Sequence, residues 1–211
     1  MKNLQKIISK IESELDEKDE VREVALKSTR AVVRLAGSVL RSLHRGEQKE
    51  QMLDELRDEA SRLTNLLLDH PELSSTGYVQ TAFQEYAEAL IIISLLRKND
   101  IPSPEDLRVS SVPFLLGLAD AVGELRRFCL DELKVGRVAK ANHHLEQMED
   151  IYSAIARFDL PDAIAPIGHK QDVARSLIEK TQGEVALATT SQNLQKKLEQ
   201  VMKKSGLRGI S

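Results

Sequence analysis

Apolar residues recur every three or four positions along almost the whole chain, and this spacing restricts the fold more than any other feature. It predicts helices at about residues 4–44, 47–69, 76–98, 104–134, 137–158 and 169–204. Pro113 either begins a helix or breaks the fourth of these segments. No segment alternates apolar and polar residues for long enough to predict a β-strand. We therefore expect an all-α fold, an antiparallel bundle of six or seven helices.

Most of the prolines and glycines fall between these segments, in HRGEQKE, DHPELSSTGY, NDIPSPED, KVGR and DLPDAIAPIGH. The chain has 211 residues, enough for one helical domain. It has no internal repeat at the periods of solenoid proteins. We expect a single domain over residues 1–211, with residues 1–20 as an extension of the first helix and residues 205–211 as a peripheral tail.

Composition excludes several classes of protein. Hydrophobic residues make up 41% of the chain and charged residues 30%, which is ordinary for a soluble protein and gives no sign of disorder. The net charge of -3 gives no overall sign of nucleic-acid binding. A lone cysteine, Cys129, cannot form an internal disulfide, and we expect it to be a buried structural thiol. The start of the chain is charged, and the longest apolar run, residues 89–93, is too short to cross a bilayer. These features predict a cytoplasmic protein.

One face of the first predicted helix is basic. Five cations lie within an arc of roughly 60° and extend over about 27 Å; this basic stripe consists of Lys27, Arg30, Arg34, Arg41 and Arg45. Phosphate backbones favour such a stripe, because each neutralised phosphate releases counterions. A charged face of a helix is also a common solvated surface, so the stripe alone leaves both interpretations open.

Acidic residues occur beside apolar runs in three segments. Glu85 and Glu88 lie one turn apart at the start of a predicted buried helix, in FQEYAEALIIISLLRK. Glu124 lies in GELRRFCLDE, and Glu146, Glu149 and Asp150 lie in HHLEQMEDIYSAIARF. Two glutamates at this spacing could share a hard cation such as Mg²⁺, and an aspartate from a facing helix would complete the site. Most such pairs are surface residues, and that alternative remains open.

Other chemistries have no support in the sequence. The phosphate-binding loop, the dinucleotide fingerprint, the nucleophile elbow and the zinc-protease motif are all absent. A di-iron bundle requires a Glu-x-x-His step, and no glutamate stands three residues before any of the five histidines. His143 and His144 are therefore interpreted as surface or helix-start residues.

Three segments resemble the translin superfamily, and specifically its translin-associated factor X branch. They are TAFQEYAEALIIISLL, VSSVPFLLGLADAVGELRRFCLDELKVGRV and LEQMEDIYSAI, and the resemblance covers about residues 20–200. The factor X branch keeps the acidic pair of the first segment, whereas translin proper does not. This chain retains both acids, Glu85 and Glu88.

The resemblance implies a seven-helix bundle of the translin type that assembles into hollow octamers and binds RNA and single-stranded DNA. It implies a metal-dependent endoribonuclease whose acids face the inner cavity, with Glu85, Glu88 and Asp150 as catalytic residues and ligands of Mg²⁺ or Mn²⁺. Glu124 corresponds to a glutamate that both branches share, as a secondary ligand or a structural acid. Glu146 or Glu149 could replace Asp150, because both lie close to it. The family's RNA-binding cluster on the first long helix corresponds to the basic stripe.

We therefore expect hydrolysis of single-stranded RNA within an oligomeric helical shell. A closed homo-oligomer is expected, with or without a translin-like partner subunit. Two alternatives remain: an RNA-binding and single-stranded DNA-binding protein of the same fold without cleavage, and a helical scaffold without a nucleic-acid role.

Overall fold

The computed structural model describes residues 2–47 and 49–204, and they form seven α-helices. In chain order these are α1 (Lys2–His44), α2 (Glu50–Asp69), α3 (Gly77–Leu96), α4 (Pro104–Leu107), α5 (Ser111–Lys134), α6 (Val138–Ile155) and α7 (Gly168–Lys204). A single 3₁₀ turn, Pro71–Leu73, lies between α2 and α3, and the described residues contain no strand. The predicted all-α fold class is confirmed. The tail predicted at residues 205–211 lies outside the described residues.

Helix ends occur where the local chemistry allows them. Gly46 and Gly136 follow α1 and α5 with φ of 71° and 73°, a conformation in which a side chain would be strained. In the segment predicted at 104–134, Ser103 and Asp106 cap each other reciprocally to start α4, and α5 begins separately at Ser111. Pro113 lies in the first turn of α5, where its missing N–H breaks no helical bond.

The chain divides into two compact units, one ending at Leu118 and the other beginning at Ala119. In the first unit, α1 contacts both α2 and α3. Residues 3–20 of α1 are exposed throughout, and the buried positions of this helix begin at Ala25. The apolar core of the unit takes five buried side chains from α2 and ten from α3. The largest that are fully buried are Leu56, Leu63, Ile91, Ile92, Val32 and Val79.

The second unit has α6 packed against α7. Its largest fully buried side chains are Leu125, Met148, Ile155, Ile167, Val122 and Thr181. Arg126 of α5 donates to the Glu184 carboxylate of α7 at 3.0 and 2.9 Å, and also bonds the Thr181 hydroxyl. This network joins α5 to α7 within the unit. None of the described helices combines the length and apolar composition needed to cross a lipid bilayer.

Candidate functional site

The two acids of α3 lie at the edge of the core of the first unit. Glu88 is only 8% exposed and Glu85 is half-buried, one helical turn away. Residues 89–93, which follow them, are all buried. A carboxylate with this little exposure loses most of its hydration, so it requires compensating interactions within the protein or a bound cation.

Gly117 determines how closely α5 approaches this acidic turn. A Cβ built on Gly117 would lie 2.6 Å from the backbone oxygen of Gln84 and 3.0 Å from the backbone nitrogen of Glu88. The first distance is shorter than real Cβ contacts and the second is tighter than most of them, so a side chain at position 117 would force the backbone of α5 or α3 to shift. The crossing therefore fixes the backbone that carries Glu85 and Glu88. Sequence reasoning missed this role, although Gly117 lies within the segment that resembles the family pattern.

The basic stripe is exposed along its length, but only its first four residues lie on α1, because the helix ends at His44 and Arg45 lies in the turn that follows. Arg41 donates to the Ser38 hydroxyl at 2.8 Å, and Arg45 pairs with Glu47 at 3.2 Å. Within the described part of the chain, the other three cations form no ion pair; they are Lys27, Arg30 and Arg34. Exposed cations without acidic partners are available for an anion from outside the chain.

The predicted acids of the second unit have different surroundings. Glu124 is 15% exposed, and its carboxylate oxygens accept from Arg127 at 2.8 and 3.0 Å. Glu149 accepts from the side-chain amide of Gln182 at 2.7 Å, whereas Asp150 is exposed on α6. Glu146 is also exposed and accepts from Asn142 at 2.6 Å.

The predicted metal ligands are thus divided between the units, with Glu85 and Glu88 in the first and Glu124 and Asp150 in the second. Over residues 2–47 and 49–204, no three His, Cys, Asp or Glu side chains gather into a group that could hold a metal ion. The pair on α3 supplies hard oxygen donors one turn apart, which fits one side of a Mg²⁺ or Mn²⁺ site. The complete ligand set stays a prediction.

Two other side chains singled out by the sequence are accounted for by packing. Burial lowers the pKa of His144, which contacts the Phe128 ring at a centroid distance of 6.0 Å. Burial also raises the pKa of the Cys129 thiol to about 11, with a smaller contribution from Glu184. At neutral pH this thiol is protonated, so it is a poor nucleophile.

Comparisons with known proteins agree with this architecture. Residues 2–202 match the model of the Translin family. A protein of Methanocaldococcus jannaschii, described as uncharacterized protein MJ0175, is 33% identical over 190 residues, which span 89% of this chain and 85% of that protein.

Solved structures extend the comparison to three dimensions. AfC3PO is 30% identical with a TM-score of 0.77, and AfC3PO in complex with duplex RNA is 29% identical with a TM-score of 0.72. Each of these matches covers 87% of this chain and 97% of the other. Apo-NeC3PO is 23% identical, with a TM-score of 0.77 over 86% of this chain and 96% of that chain, and shows the shared fold.

Proposed function

The chain belongs to the translin family, and from that premise we propose that it is a metal-dependent endoribonuclease that binds RNA in an oligomeric helical shell. The proposal places it on the translin-associated factor X branch, because residues 83–89 keep both acids of that pattern. RNA as the ligand is supported by the structural neighbour that was solved with duplex RNA. In this chain a single strand is the proposed substrate, inside a closed homo-oligomer in the cytoplasm.

The observation that carries the proposal is the acidic turn of α3. Glu88 is almost fully buried, Glu85 lies one turn away, and Gly117 holds the backbone between them in a fixed position. A bound Mg²⁺ or Mn²⁺ would supply a water of lowered pKa and stabilise charge on the phosphate. Glu85 and Glu88 would hold it, with Asp150 as the proposed third ligand. The basic stripe would bind the RNA backbone without reading its sequence.

A cleavage assay tests the proposal. Purified protein is incubated with labelled single-stranded RNA in Mn²⁺, Mg²⁺ or a chelator, while light scattering measures the size of the assembly. We expect cleavage only with metal, and none from Glu85→Gln or Glu88→Gln, which still bind RNA. Glu105→Gln is the matched control, because Glu105 is exposed on α4. Cleavage at the parental rate by both α3 variants would rule out this site.

A salt titration tests the binding surface. RNA affinity should fall with a logarithmic slope of about -0.7 for each phosphate that the stripe neutralises. Replacing Arg41 with glutamine should make this slope shallower. A helical scaffold without a nucleic-acid role would show no affinity at any salt concentration.

A non-catalytic RNA-binding protein of the same fold is the second candidate. It is favoured by one observation: Lys27, Arg30 and Arg34 are exposed without an acidic partner among the described residues, so they could bind RNA without a metal at the acids of α3. Salt-sensitive RNA binding without cleavage in Mn²⁺ or Mg²⁺ would establish this alternative.

A further inference from the structure

We propose that residues 4–15 of α1 form a self-complementary surface through which two copies of this chain pair as antiparallel helices; this contact belongs to the proposed homo-oligomer and rests on it. Residues 3–20 of α1 are exposed throughout, although they continue the helix without a break. A helix in a soluble protein gains most of its stability by packing an apolar face. An exposed segment of this length therefore favours a surface that a second molecule covers.

An apolar stripe runs along this exposed segment. Its side chains are each between 44% and 58% exposed; they are Leu4, Ile7, Ile8, Ile11 and Leu15. Their spacing at three and four residues places them on one face of the helix. The cations Lys18 and Arg22 follow on the same face, before the first buried position of α1 at Ala25. The apolar stripe is therefore a surface of its own, separate from the core of the unit.

The central part of the apolar stripe is the same from either end. Four of its residues are separated by four, three and four positions; they are Leu4, Ile8, Ile11 and Leu15. Alternating steps of three and four residues are the pattern by which helices pair in coiled coils. When two such helices pack in opposite directions, Leu4 of one copy faces Leu15 of the second copy. The two isoleucines face each other in the same way, so the surface fits a twofold contact in which both copies use the same residues.

The charges of the segment select the antiparallel direction. Residues 1–11 contain three lysines and no acid, whereas residues 12–20 contain six acids and one lysine. A parallel pair would place the acids of one copy beside the acids of the other, and like charges across an interface oppose association. An antiparallel pair places the lysine-rich end of each copy beside the acidic part of the other, and it also opposes the two helix dipoles. The charge pattern therefore favours a second copy in the opposite direction.

The same charges argue against a lipid surface as the occupant. Helices that lie in a membrane interface carry lysine and arginine on their polar face, which anionic lipids attract. In this segment six acids stand against one lysine over residues 12–20, so an anionic lipid surface would repel that part of the helix. A second copy of the chain satisfies both the apolar stripe and the charges.

Leu15→Glu tests the contact, and Leu68→Glu is the matched control because Leu68 is an exposed leucine of α2 outside the apolar stripe. Sedimentation and light scattering of the full chain, without RNA or metal, measure assembly over a range of concentrations. We expect Leu15→Glu to require about tenfold more protein than the parent to reach the parental size, since each pair loses two apolar contacts. Leu68→Glu should assemble like the parent, and circular dichroism checks that both variants are folded.

Cross-linking tests the direction of the pair. Cys129 is buried, so a thiol introduced on the exposed segment of α1 is the accessible one, and the parent is the control. Leu4→Cys and Leu15→Cys should be joined by a short bismaleimide when the two variants are co-expressed. Each variant alone should not be joined to itself, because an antiparallel pair leaves its two thiols roughly 16 Å apart along the axis.

Three outcomes would overturn the contact. Cross-linking of each cysteine variant with itself, and none between the two, shows a parallel pair. Parental assembly of Leu15→Glu without a mixed cross-link removes the apolar stripe from the interface, while the proposed homo-oligomer stands. Binding of the parent to anionic vesicles, lost in Leu15→Glu and without a mixed cross-link, assigns the stripe to lipid. A parent that is monomeric at every concentration overturns the contact and the homo-oligomer together, whereas loss of RNA cleavage alone affects neither.

Discussion

The acids of α3 and the acids of α5 and α6 have the same chemistry in different surroundings. Glu88 is 8% exposed beside an apolar run, at a helix crossing where a side chain at position 117 would force the backbone to shift. In the second unit, Glu124 is bound by the Arg127 guanidinium and Asp150 is exposed. A carboxylate paired with a neighbouring cation on its own helix is common on protein surfaces. A nearly buried carboxylate on a rigid crossing is uncommon, so the α3 turn is the stronger candidate for function.

The largest expected effect tests whether the exposed acid of α6 belongs with those of α3. If Asp150 is the third ligand, Asp150→Asn should abolish metal-dependent cleavage, because a neutral amide is a weaker ligand for a hard cation. Glu149→Gln should retain cleavage, since that carboxylate already accepts from Gln182. Gel electrophoresis of labelled RNA measures cleavage by both variants. If Glu149→Gln loses cleavage and Asp150→Asn retains it, the third ligand is Glu149 and not Asp150.

The next effect tests the rigid crossing that distinguishes the α3 acids. Gly117→Ala should lower the free energy of unfolding by about 1–3 kcal/mol, because its Cβ would overlap the backbone of α3. Urea unfolding followed by circular dichroism gives the value. Gly123→Ala is the matched control on the same helix, since its Cβ would meet only Leu177 at 4.0 Å. Equal stability of the two variants would show that the crossing relaxes easily.

A smaller effect separates two neighbouring arginines of the second unit. Arg126 is 16% exposed and bonds Glu184 and Thr181, whereas Arg127 is 55% exposed. Arg126→Met should lower the free energy of unfolding by about 1–2 kcal/mol, because it removes several charge-assisted bonds between helices. Arg127→Met should cost less than about 1 kcal/mol. If urea titrations show a larger loss of stability in Arg127→Met than in Arg126→Met, the pair of Arg127 with Glu124 contributes more to stability.

The last effect is confined to alkaline pH and concerns the buried thiol of Cys129, which remains neutral. Burial raises the pKa of Cys129 to about 11 from its ordinary 9.0. The unfolded thiol therefore loses its proton first, and the free energy of unfolding should decrease as pH rises from 9.0 towards about 11. Cys129→Ala should lack this component of the pH dependence. A parental curve that coincides with that of the variant would contradict the raised pKa.

Helix formation was predictable because it depends on residues close together in the chain. The 3.6-residue pattern predicted helices close to α1, α2, α3, α6 and α7, and glycines marked the ends of α1 and α5. The sequence has no glycine at the ends of α3 and α4. The residues there that adopt a positive φ are Lys98, at 58°, and Arg108, at 55°. At these positions the surrounding structure overrides the local preference.

The candidate site was only partly predictable. The sequence indicated Glu85, Glu88 and the basic stripe, because their spacing on single helices is visible in the chain. It did not indicate Gly117, since the role of this residue depends on contact between helices that are distant in sequence.

The sequence by itself thus determined that the chain is helical and which residues share a helix face, because both follow from local periodicity. Only the tertiary structure decided which acid is buried, which glycine permits a helix crossing and which cations have no acidic partner among the described residues. Those outcomes depend on desolvation and steric overlap between residues far apart in the chain, and no local pattern encodes them.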